Sequence, residues 1–345
     1  MADRGRFFNN IARFDWSSFS LTTGVRGAVF LIAPMVAGVE FQQPALLFAA
    51  LGALWLTNTE GQPSVLPLRI LLVACLTEAA AFGLGTLAAT AGLLTPPLLG
   101  AAVAAALLAR GRTKWANTGT FTAITFAVGA GLPGPSVEAA AVRLSYSLLG
   151  ALLALLGVCM HRLASSRGSL TSQANAAPGQ PMSGSEALRS AALLGVVSGL
   201  GFAIGDVLGL PRDFWVVITI ITSVRPSVSL TISFTSMMAI GTVIGAFVAA
   251  AITLETGDVY VLLPLLFVFA VLMFASRGVN FGLVQVFLTP FIIILINILY
   301  PGDWYFAFYR ILEVVIGVVL AITAVYLLRT VKEGTSDAPK PPQLV

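Results

Sequence analysis

Apolar residues run almost without interruption along the chain, and short polar breaks cut the run into twelve stretches. They fall at roughly 25–41, 44–58, 67–91, 95–110, 116–132, 139–160, 187–207, 213–224, 228–253, 258–275, 280–299 and 304–328. Each reads as a helix, because backbone in hydrocarbon must satisfy its own hydrogen bonds. Several are shorter than the ~20 residues needed to cross ~30 Å of hydrocarbon, so pairs such as 25–58 read as tilted or partly re-entrant hairpins. The stretch Asp213–Gly245 shows the pattern best. A dozen apolar residues end at Arg225-Pro226, a Ser/Thr-rich run comes next, and the run closes on Gly241 and Gly245. This predicts two helices joined by a tight turn with a basic residue at the membrane face.

Composition turns that pattern into a class. The chain is 57% hydrophobic and 10% charged, with mean hydropathy +0.93, against roughly 25% charged in soluble domains. An all-α integral membrane protein is expected. The net charge of +4 does not point to nucleic acid once the basic residues are placed. Sixteen Arg and Lys fall on the side that holds the N-terminus: Arg4, Arg6, Arg13, Arg26, Arg69, Arg110, Arg112, Lys114, Arg162, Arg167, Arg189, Arg225, Arg277, Arg329, Lys332 and Lys340. Only Arg143, Arg212 and Arg310 fall on the other, where Glu40, Glu138, Asp206, Asp213, Glu255, Asp258 and Asp303 collect. Positive charge marks the cytoplasmic side, so both termini are expected there.

Residues 1–24 lack the apolar core of a secretory signal. Phe7, Ile11 and Phe14 beside Arg4, Arg6 and Arg13 suggest an amphipathic helix on the cytoplasmic face; a frayed tail is the plain alternative. Residues 163–186 are rich in Ser, Gly and Pro and read as a flexible cytoplasmic linker. Residues 330–345 read as a disordered tail.

The linker separates two stretches that match each other, 25–162 and 187–329. Arg26 pairs with Arg189, Pro63-Ser64-Val65 with Pro226-Ser227-Val228, Asn117 with Asn280 and Gly119 with Gly282, at a constant offset of 163. Four extra residues then shift the offset to 167, where Arg143 pairs with Arg310 and Gly150 with Gly317. Six spans per repeat leave the halves with the same orientation, which predicts a pseudo-twofold axis along the membrane normal.

The segments FWVVITIITSVRPSVSLTISFTSMMAIGTVIGA and VNFGLVQVFLTPFIIILINILYPGDWYFAFYRILEVVIGVVLA resemble the fusaric acid resistance and aromatic acid exporter superfamily of bacterial inner-membrane proteins. The second shares its Asn-aromatic start, Thr-Pro, Pro-Gly-Asp-Trp turn and Arg-to-Gly helix. The resemblance covers most of the second half and, more weakly, the first. It implies export of small aromatic or amphipathic organic acids across a bacterial inner membrane. Better-known members add large cytoplasmic regions where this chain has only its linker. The superfamily is also similar to plant aluminium-activated malate transporters, in which six-helix subunits pair around an anion path.

Candidate chemistry comes from what an organic anion needs. Arg143 and Arg310, at equivalent outer helix starts, and Arg26 and Arg189, at equivalent inner ones, could form cationic rings at the two mouths; snorkelling anchors are the alternative. The short spans ending near Pro63 and Pro226 point to a transport site, since matched, interrupted segments mark such sites. Ser229, Ser233 and Ser236, and likewise Thr118, Thr122 and Thr125, recur at i, i+4, i+7. Each set could line a wet path or bond helices and backbone together. Trp215 could stack on an aromatic substrate or belong to an interfacial belt. Glu78 and Glu313 are acids inside spans, hence candidates for proton coupling; Glu313 could instead pair with Arg310.

Other classes fall away. Cys75 and Cys159 are isolated in apolar runs, His161 is the single histidine, and no GxxxxGK[ST] exists, so neither a metal site, a catalytic triad nor a P-loop is expected. No cofactor and no enzymatic activity are expected. The reading is a proton-driven exporter of organic acids, partnered by its substrate, the bilayer and, for efflux across a second membrane, a periplasmic adaptor. A passive organic-anion channel and a non-transporting scaffold are the alternatives.

Overall fold

The computed structural model describes residues 13–60, 67–109, 116–165, 184–225, 228–299 and 305–336. Twelve α-helices and no strand occur among them. In order they are α1 (Leu21–Glu40), α2 (Leu46–Glu60), α3 (Leu68–Ala89), α4 (Thr95–Leu108), α5 (Ala116–Gly131), α6 (Val137–Ser165), α7 (Gly184–Val207), α8 (Phe214–Ser223), α9 (Val228–Glu255), α10 (Val259–Ala275), α11 (Phe281–Leu299) and α12 (Phe306–Ser336). Each apolar stretch carries one helix. Seven (α1, α3, α6, α7, α9, α11 and α12) are long and apolar enough to cross a membrane, and the chain is a multi-pass membrane protein. Residues 1–12, most of the linker, Pro63 and Pro226 lie outside the described residues.

Local chemistry sets the ends. Helix α1 starts at Leu21, four residues earlier than expected, because the Ser20 side chain accepts from Thr23 N–H at 3.3 Å. Asp258 caps α10 through Tyr260 N–H. Asn280 caps α11, accepting from Gly282 N–H at 2.7 Å. Helix α6 runs three residues past 162 and α12 seven past 329, so the linker and tail are shorter than expected.

Within the first half, α3 packs on α5 and α6, α2 on α1 and α6, and α4 on α5. Within the second, α9 packs on α11 and α12, α8 on α7 and α12, and α10 on α11. The halves meet through α1 on α10, α4 on α7 and α5 on α8. Small residues make close approaches possible: a Cβ on Gly195 would stand 2.4 Å from the Gly100 carbonyl oxygen across the α4–α7 crossing.

Helix α8 is the short one, and it sits deep in the bundle. Its ten residues span about 15 Å, half the hydrocarbon thickness. Eight of the ten are buried. At its C-terminal end, the Ser223 hydroxyl lies 3.4 Å from Met238 Sδ, ten residues into α9. Val224 is extended, and Arg225 N–H donates to Thr231 Oγ1 at 2.9 Å. The helix therefore ends beside the flank of α9. At that same end of the molecule residues 13–20 dock on the α10–α11 connection. Asp15 and Ser20 N–H donate to the Val279 and Ala275 carbonyls, and Asn280 Nδ2 donates to the Arg13 carbonyl at 2.9 Å.

Candidate anion site

The opposite end, where α8 begins, carries a buried cluster of charge. The connection between α7 and α8 turns at Gly209, in the left-handed region at φ 65°, and delivers Arg212 and Asp213 to the start of α8. Glycines on two neighbouring helices make room for Asp213. A Cβ on Gly205 of α7 would lie 2.6 Å from Asp213 Cβ, and one on Gly131 of α5 would lie 2.7 Å from its Oδ1. Burial pushes the Asp213 carboxyl up to about 7; the nearby Asp206 adds to the rise and the Phe214 N–H opposes it.

Helix α12 faces this point with Arg310 and Glu313. Both are buried, at 3% and 2% exposure. The Arg310 guanidinium lies over the Trp215 ring at 4.2 Å, and Arg212 lies over Phe306 at 5.6 Å. Glu313 lies near the Arg212 backbone and feels the charges of Arg310, Asp213 and Arg212. The expected intrahelical relation of Arg310 to Glu313 is thus one side of a four-charge cluster. Arg310 Nε and Nη1 are buried and meet no hydrogen-bond acceptor among the described residues. A buried guanidinium over an indole, with donors to spare, suits a planar carboxylate on an aromatic body.

Arg143 occupies a related place in the first half. Ninety-five residues separate Phe48 from Arg143, and ninety-five separate Trp215 from Arg310. The Arg143 guanidinium stands 5.7 Å from the Phe48 ring. Its donors are engaged: Nη1 reaches Thr86 Oγ1 at 3.1 Å, and Nη2 donates to the Pro133 carbonyl. Each arginine has contacts within its own half, Arg143 with Thr86, Pro133 and Phe48 and Arg310 with Trp215.

The other candidates are dispersed. Arg26 is half-buried on α1 and Arg189 exposed on α7, and these helices pack on different neighbours. Ser229 is exposed, Ser236 half-buried and Ser233 buried, so the serine stripe does not lie along one surface. Ser233 Oγ and Thr118 Oγ1 are buried without an acceptor or donor among the described residues. Thr122 is half-buried, and Thr125 donates to the Phe121 carbonyl one turn back at 2.7 Å. Glu78 is buried at the middle of α3, away from the α7–α8 connection. Sequence reasoning missed Arg212, Asp213 and Phe306 as site residues, having read the first two as loop charges. The repeated ninety-five-residue interval between an aromatic and an arginine was the available signal.

Residues 200–324 match the family described as fusaric acid resistance protein-like. The matched region runs from within α7 to within α12 and contains every residue of the charged cluster. No curated protein and no solved structure matches the chain.

Proposed function

We propose that this chain, whose residues 200–324 belong with the fusaric acid resistance-like proteins, exports small aromatic or amphipathic organic acids across a bacterial inner membrane at the expense of the proton gradient. The observation that carries the reading is Arg310: a cation 3% exposed, stacked on Trp215, with two donor nitrogens unused among the described residues. A charge inside a membrane protein is costly and faces a partner or a substrate path. The half-length α8 that presents Trp215 agrees with this, because interrupted helices mark transport sites. Glu313 and Glu78, both buried in membrane-spanning helices, supply carboxyls for proton coupling.

The architecture we infer is two parallel six-helix repeats. It is supported by matched packing: α3–α5, α3–α6, α2–α6, α1–α2 and α4–α5 in the first half find counterparts in α9–α11, α9–α12, α8–α12, α7–α8 and α10–α11 in the second. The contacts α1–α10 and α4–α7 exchange under the same correspondence. The basic-residue bias supports cytoplasmic termini.

Flux of benzoate in proteoliposomes, with and without an imposed pH gradient, tests the function. Uphill movement that an uncoupler abolishes is the expected result. Downhill flux indifferent to the pH gradient at clamped potential would replace the exporter with a passive channel. No flux of any aromatic acid would favour a scaffold.

A further inference from the structure

The two half-chains look alike, yet their arginines are treated differently by their surroundings. In the first half the Thr86 hydroxyl donates to the Phe82 carbonyl at 3.0 Å and accepts from Arg143 Nη1 at 3.1 Å. The register of the α3–α6 crossing is set by Gly83, whose Cβ would meet the Ala140 carbonyl and the Leu144 side chain. Those residues stand three before and one after Arg143, and Thr86 is three residues past Gly83. At the α9–α12 crossing Ala246 and Ala249 cluster with Ala307 and Ile311, which stand three before and one after Arg310. In that register the place of Thr86 is taken by Ala249, a fully buried methyl with no lone pair to offer.

We propose that the chain holds one carboxylate-binding arginine and not two: Arg310 takes the ligand, and Arg143 is a strut that ties α6 to α3 and to the α5–α6 connection. This rests on the transport reading and adds which half binds and why. The substitution of a hydroxyl by a methyl at one helix crossing leaves Arg310 its donors, and Trp215 gives it a wider platform than Phe48 gives Arg143.

A cavity of about 290 Å³ does open beside Arg143, lined by Phe48, Ser136, Glu138, Ala139 and Val142. It does not make a second anion site. The Glu138 carboxylate on its wall repels an anion, and the arginine that would receive the ligand already donates to Thr86 and Pro133.

The test adds or removes one oxygen. In Ala249→Ser a hydroxyl can donate to the carbonyl one turn back and accept from Arg310, as Thr86 does for Arg143. Benzoate titrated into the full-length protein in lipid nanodiscs should then bind about tenfold more weakly, the order of one hydrogen bond to a charged group, with the melting temperature unchanged or raised. Thr86→Ala should lower the melting temperature and leave benzoate affinity within about twofold, well under the tenfold that one such bond carries. Equal loss of affinity in the two variants would overturn the one-arginine assignment while the transport reading stood. So would unaltered affinity in Ala249→Ser. If the unmodified protein neither binds nor moves benzoate, the transport reading fails and takes the assignment with it.

Discussion

Replacing Trp215 by Leu isolates the contact on which the site depends. The Arg310 guanidinium is 4.2 Å from the Trp215 ring and 3% exposed. A desolvated cation–π contact contributes about 2 kcal/mol, an exposed one about 0.5–1 kcal/mol, and Trp is a better partner than Phe. In the Arg143–Phe48 pair the arginine is also buried, but the contact is longer, at 5.7 Å, and uses the weaker Phe ring. Trp215→Leu alone also loses packing of a large, half-buried side chain, at less than the roughly 3–5 kcal/mol of a full truncation of buried Trp to Ala. A double-mutant cycle with Arg310→Met cancels that loss and leaves the pairwise coupling. Unfolding in mixed micelles, measured for the two single variants and the double, should return a coupling of about 2 kcal/mol. The cycle built on Phe48→Leu and Arg143→Met should return a smaller coupling, because that contact is longer and the ring is Phe. Equal couplings in the two cycles, or a Trp215–Arg310 coupling under about 0.5 kcal/mol, would refute the view that the indole is a platform for this cation.

The remaining predictions touch other parts of the molecule. Gly150→Ala places a Cβ 1.7 Å from the Ala49 carbonyl oxygen; prying α2 from α6 should cost at least about 3 kcal/mol, the upper end of overpacking, and show as lost yield and a lowered melting temperature. Gly184→Ala, with nothing within 4 Å, should be neutral in the same assay. Asp213, in the connection before α8, has its pKa raised from 3.8 to about 7, so the folded state holds its proton longer than the unfolded one. Its contribution to stability is therefore lost as pH rises from about 4 to 7, and Asp213→Asn should flatten the melting temperature over that window; an unaltered slope would remove Asp213 as its cause. Asn280→Ala removes the cap of α11 and the bond to the Arg13 carbonyl, so it should cost about 1–2 kcal/mol and speed proteolysis within residues 13–20. Glu78→Gln should leave benzoate binding intact and abolish the dependence of flux on the pH gradient; persistent dependence would shift proton coupling to Glu313.

Most of the helices were legible because hydrocarbon leaves few options. Continuous apolar runs interrupted by Arg, Pro and Gly predict helices and turns, and the short 213–224 span comes out as the short helix Phe214–Ser223. The ends were less legible where a single side chain decides them, as with Ser20 at the start of α1. The site was half legible. Arg310, Glu313 and Trp215 announce themselves as charges within a span and an aromatic beside one. Their grouping with Arg212 and Asp213 does not, since it depends on Gly131 and Gly205 from two other helices leaving room for a carboxylate. Period and composition carry no such information. The fate of Ser229, Ser233 and Ser236 shows the same limit: an identical i, i+4, i+7 spacing spans exposed, buried and half-buried positions because α9 is crossed by different neighbours along its length.

Four charges buried together need a reason. Arg212, Asp213, Arg310 and Glu313 are each less than a tenth exposed. Replacing buried ionic groups by packed apolar residues is commonly neutral or stabilising, so stability alone does not call for them. The first half makes the same point within one chain. The residues 167 before these four are Ala45, Leu46, Arg143 and Tyr146, of which Arg143 alone is charged. The offset of 163 that holds in the earlier part of the repeat matches Arg212 and Asp213 to Ala49 and Ala50, also uncharged. Helices α2 and α6 nevertheless pack as closely as α8 and α12, with the Gly150 backbone against Ala49 where Gly317 meets Thr219. The fold thus closes without the extra charges. Under the proposed function these charges have a use: Arg310 keeps donors for a ligand carboxylate, and Asp213 and Glu313 are the carboxyls grouped with it.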